Sequence, residues 1–68
     1  MAREVQLNGH RYWILSEPEG EGWRAWVVEL LDGGAREDVG ISATAETRTA
    51  ADARAEQKLR RLLQARSD

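Results

Sequence analysis

The chain contains no cysteine and a single histidine, and these two shortages exclude more than any residue present. Without cysteine there is neither a disulfide nor a thiolate metal site. One histidine cannot build a zinc site without help from several carboxylates. No apolar run approaches the ~20 residues needed to cross a membrane, and no signal-peptide pattern opens the chain. Lack of cysteine fits a reducing compartment, so the expected location is the cytoplasm. A basic excess is also missing: formal net charge is -2, which argues against nucleic acid as a partner of the whole chain.

What remains is short. At 68 residues the chain is expected to form one domain over 1–68, with fraying at about 1–3 and 65–68. A core of that size rarely supplies more than roughly 3–5 kcal/mol, so small domains add a disulfide, a metal or a second subunit. With the first two excluded, oligomerisation is the remaining support.

Alternating apolar residues place the elements. Val5 and Leu7 precede Asn8-Gly9, a strong signal for a type I′ hairpin turn, so a short first strand folds onto a second at His10–Ser16. The segment Glu17-Pro18-Glu19-Gly20-Glu21-Gly22 is expected to break regular structure. Trp23–Leu30, aromatic and β-branched, reads as a third strand. After a turn at Asp32-Gly33-Gly34, a fourth strand over Arg36–Ala45 keeps a period of two through Val39, Ile41, Ala43 and Ala45. The rest is a helix. Thr47 or Thr49 can cap it, and Thr49 with Asp52 resembles a capping box. Ala51, Ala55, Leu59, Leu62 and Leu63 form its apolar stripe, with Arg54, Lys58 and Arg61 on another side. The fold class is therefore α+β, an antiparallel meander of three or four strands with one C-terminal amphipathic helix on one sheet face.

Strands two and three are apolar on both faces, and one helix covers only one face of a four-stranded sheet. Large apolar side chains are then left over. Burying each is worth roughly 1.5–3 kcal/mol, so a surplus of them marks an interface. Trp13, Leu15, Trp23, Trp26 and Val28 are the candidate interface residues, and a two-fold homodimer through the sheet is the simplest partner.

The chemical motifs are weak. His10 beside the Asn-Gly turn has no second histidine and no serine close in sequence, so it reads as solvated rather than as a general base. Glu17, Glu19 and Glu21 lack the ligand order of a calcium loop. Neither glycine pair opens a helix N-terminus that would cradle phosphate. No catalytic residue, cofactor, metal or small-molecule substrate is indicated, and the chain is expected not to be an enzyme.

Charge is unevenly divided. Up to Ala45, Arg3, Arg11, Arg24 and Arg36 face eight acids. From Glu46 to Arg66 six basic residues face three acids. A nucleic-acid alternative would use Arg54, Lys58 and Arg61 of the helix on phosphates.

The order of elements resembles the HicB-like antitoxin family. The matching stretches are Tyr12-Trp13-Ile14-Leu15-Ser16-Glu17-Pro18, then Gly22 through Leu30, then Glu46-Thr47 with Ala50-Ala51 and Leu59. The family's Pro-Gly-Cys is replaced by Leu31-Asp32-Gly33-Gly34, and the C-terminal DNA-binding segment that many members carry is not expected here. The resemblance implies a dimeric protein-binding module that masks a toxin-like partner. Gly40 through Leu63 also looks like the last strands and helix of a double-stranded RNA-binding domain, which implies recognition of RNA by shape.

Overall fold

The computed structural model describes residues 2–66. Strands β1 (Arg3–Leu7), β2 (His10–Glu19), β3 (Gly22–Leu30) and β4 (Arg36–Ala45) form one antiparallel sheet in the order β1-β2-β3-β4, and helix α1 (Arg48–Arg66) packs on it. The fold is α+β. The fraying expected at residues 1, 67 and 68 lies outside the described residues; within them Arg3 already opens β1 and α1 runs through Arg66.

Turn chemistry sets the registers. Leu7 pairs with His10 around Asn8-Gly9, whose φ values of 54° and 80° give the two positive angles that a type I′ turn needs. The break expected across Glu17–Gly22 is confined to Gly20-Glu21, because β2 continues through Pro18 and Glu19 and Glu19 pairs with Gly22. Pro18 is tolerated because β1 begins at Arg3, opposite Ile14. Beyond that point β2 has a neighbour on one side only, where a missing N–H costs no ladder bond. A 3-10 turn at Asp32–Gly34 joins β3 to β4, held by Leu31 N–H donating to Ala35 O at 2.8 Å.

β4 carries an irregularity that its sequence pattern conceals. Ser42 pairs with Trp26 and Asp38 with Val28, so residues 39–41 stand opposite Val27 alone. The bulge is tied by Gly40 N–H donating to Asp38 Oδ1 at 2.8 Å. Two extra residues preserve the alternation, and Val39 and Ile41 both pack on the core.

Only Glu46 and Thr47 separate β4 from α1. Thr47 Oγ1 accepts from Ala50 N–H at 3.1 Å, so Thr47 is the N-cap, while Thr49 lies inside the helix and forms no box with Asp52. Ala51, Ala55 and Leu59 are fully buried against Ile14, Ala25 and Val27, with Tyr12 and Ala43 also in the core. Alanines on the contact stripe let the helix sit close to the sheet. Among the described residues only Ile14, Val27 and Leu59 are large and fully buried, so the core is thin for its length. Leu62 and Leu63 are half-buried. Glu56 ties α1 to the start of β1, its Oε1 lying 2.8 Å from Arg3 Nη2 and its Oε2 2.9 Å from Arg60 Nη2.

Candidate interaction face

Residues paired across strands share a face, so the registers sort every side chain. The helix side takes Tyr12, Ile14 and Ser16 of β2 with Trp23, Ala25 and Val27 of β3. The opposite side takes four rows beyond the terminal Glu19–Gly22 pair. Glu17 and Arg24 lead to Thr44; Leu15 and Trp26 lead to Ser42; Glu4, Trp13 and Val28 lead to Asp38; Gln6, Arg11 and Leu30 lead to Arg36. No helix covers these rows.

Four of the five candidate interface residues therefore meet. Trp13, Leu15, Trp26 and Val28 form a two-by-two block at the centre of the open face. Trp23 does not join them. It alternates with Ala25 and Val27 and lies on the helix side, with the Arg48 guanidinium 5.9 Å from its ring centre. There it lines an open groove of about 860 Å³ with Glu19, Glu21, Glu46 and Arg54.

The central block is half-buried even without a helix above it. Its members shield one another, and arginines lie over both indoles. Arg36 of β4 reaches across β3 to place its guanidinium 4.7 Å from the Trp13 ring, and Arg24 sits 5.3 Å from the Trp26 ring. Each contact contributes about 0.5–1 kcal/mol at an exposed site. Leu31, 39 % exposed, is the one large apolar side chain among the described residues that stands open to water. The open face is thus apolar beneath and guanidinium-covered above.

Its charges are also ordered. Arg11 donates from Nη2 to Glu4 Oε1 at 3.1 Å and from Nε to Oε2 at 3.4 Å. The Arg11 hydrogen bond holds the Glu4 carboxyl below its ordinary range, and the same pair pushes the Arg11 guanidinium up. Arg24 Nη1 lies 3.9 Å from Glu17 Oε1. Arg11, Arg24 and Arg36 balance Glu4, Glu17 and Asp38 across these four rows. Composition alone concealed those arginines behind the acidic total of the sheet half; the signal was their spacing of two from Trp13, Trp26 and Asp38.

The basic helix residues are engaged elsewhere. Arg54 Nη1 donates to Thr44 O and Lys58 Nζ to Ser42 O, each at 2.8 Å. Both acceptors are carbonyls of β4, an edge strand, so these side chains occupy two of the groups that further pairing would need. Arg61 is exposed farther along the helix. At the other end of the sheet His10 Nδ1 lies 2.8 Å from Glu29 Oε2, an exposed pair beside the first turn. Among the described residues no group of three or more histidines or carboxylates is placed to hold a metal, and no helix is long and apolar enough to cross a membrane. No family model matches the chain, and neither does a curated protein or a solved structure.

Proposed function

We propose that the protein is a non-catalytic protein-interaction module that works as a homodimer through its uncovered sheet face. The observation that carries this reading is the central block of Trp13, Leu15, Trp26 and Val28 on a face that no helix covers. Each of those side chains gains from leaving water, and a core this thin benefits from added buried area. The resemblance to HicB-like antitoxins points the same way, toward a dimeric module that masks a toxin-like protein partner. Light scattering at micromolar concentration tests the reading. A particle of twice the 7.7 kDa chain mass is expected, and Leu15→Glu is expected to return it to a monomer. A wild-type chain that stays monomeric overturns the homodimer.

The helix-based nucleic-acid reading draws less support, since Arg54 and Lys58 are bonded to β4 carbonyls and Arg60 to Glu56. It predicts salt-dependent binding of double-stranded RNA, and no binding at low salt ends it.

A further inference from the structure

The two sheets of a face-to-face pair can be related by a two-fold axis along the strands or by one across them. Resting on the homodimer reading above, we infer that the axis runs across the strands, between the Trp13–Val28 row and the Leu15–Trp26 row, and that Arg11 of each protomer meets Glu17 of the other.

Area comes first. The molecule is a slab with extents of 36 × 28 × 16 Å, so its broad face has an outline of at most about 1,000 Å², whereas a standard interface takes roughly 800 Å² per partner. Contact cannot stop at the four apolar residues. It must reach the charged rows at both ends of the face, so the charges select the orientation.

With the axis along the strands, each row meets its own copy. Glu4 then lies opposite Asp38 of the second copy, twice by symmetry. Arg11 and Arg36 of both protomers collect at one end, four guanidinium groups together. With the axis across the strands, the rows are reversed. Trp13 lies over Leu15 of the second copy and Val28 over Trp26, so the apolar block meets an apolar block. Asp38 meets Ser42, Arg36 meets Thr44, and Arg11 meets Glu17. No like charges stand directly opposite, and the arginines divide between the two ends. The four rows carry three arginines and three carboxylates, so a second copy is an occupant they do not repel. Like-charge juxtaposition is what selects against wrong arrangements at such a surface.

The monomer leaves Glu17 available for this role. Its distance to Arg24 is 3.9 Å, at the edge of an ion pair, and its side chain is largely exposed. Arg11 is held by Glu4 from one side only, and its other donors can reach a second carboxylate.

The test is complementation between two single variants. Arg11→Glu alone sets the introduced carboxylate against Glu17 at both symmetric contacts, and Glu17→Arg alone sets the introduced guanidinium against Arg11. Each variant is expected to self-associate at least about tenfold more weakly than wild type, because symmetry doubles the repulsion. An equimolar mixture is expected to recover the pair, as every contact then joins opposite charges. Sedimentation velocity on both variants and on the mixture reads the result. Recovery in the mixture also shows that neither variant has lost its fold. An axis along the strands predicts the opposite for Arg11→Glu, which would relieve the four-arginine cluster and tighten association. If the wild type dimerises but the mixture gives no recovery, the register is wrong and the homodimer reading stands. If the wild type is a monomer throughout, both fall.

Discussion

The two faces of the sheet bury apolar side chains by different means, although the same strands supply both. On the helix side, Ile14, Ala25 and Val27 lie under Ala51, Ala55 and Leu59 and are completely removed from water. On the open side, Leu15, Trp26 and Val28 are neighbours of those residues in sequence and are only half-buried, under arginine side chains. The first face is closed by a helix of the same chain, so it forms whenever the chain folds. The second is covered by guanidinium groups that a better-fitting surface can displace. Stability belongs chiefly to the first face, and the association proposed above to the second.

Ile14 and Leu15 give the sharpest way to break that comparison, because they are adjacent and point to opposite faces. Ile14→Ala is expected to cost about 2–5 kcal/mol, enough to unfold a domain of this size. Leu15→Ala is expected to cost markedly less when measured at concentrations where the chain is monomeric, while weakening association. Urea titrations followed by circular dichroism at low protein concentration compare the two. Equal losses would mean that the open face is as much core as the covered one.

A smaller effect is expected at Gly22, where β3 begins against the end of β4. A Cβ there would stand 2.5 Å from Ala45 O, a backbone atom that cannot rotate away. Gly22→Ala is expected to cost about 1–3 kcal/mol by thermal melting, and an unchanged melt would show that the strand ends can separate without loss. Thr47→Ala removes the helix cap and is expected to cost about 1 kcal/mol, with Thr47→Ser restoring most of it.

The smallest expected effect is a pH dependence on the open face. The Glu4 carboxyl is lowered from 4.5 by the Arg11 hydrogen bond, so the folded state binds its proton less readily than the unfolded chain does. Its contribution to stability is complete above 4.5 and fades as the pH falls through the lowered folded value. Glu4→Gln is expected to flatten the acid side of the stability curve slightly. A steeper acid limb in that variant would contradict the assignment.

Much of this architecture was legible in the sequence because it rests on local signals. Asn8-Gly9 determined the first hairpin, Asp32-Gly33-Gly34 the third connection, and the alanine-leucine stripe the helix face. Three features were not legible, each for a physical reason. Pro18 reads as a breaker, yet the sheet leaves β2 unpartnered on one side there, and only the register reveals that. The bulge at residues 39–41 adds two residues and so leaves the alternation of β4 undisturbed. The side taken by each tryptophan depends on which alternating set the helix covers. Strand three offers Trp23, Ala25 and Val27 or Trp26, Val28 and Leu30, and the small Ala25 accommodates the helix more closely. That is how Trp23 parted from the other four candidates. The helix cations illustrate the same limit, since nothing local in Arg54 or Lys58 announces carbonyl acceptors on a strand 10 and 16 residues away.

Those two side chains also govern how the molecule can grow. A sheet with both edges free can add strands indefinitely and become a filament. Here two outward carbonyls of the β4 edge are already taken by cations, which disfavours further pairing there and leaves β1 as the more open edge. Replacing both cations would expose a second edge to strand pairing, although neither residue belongs to the core or to the open face.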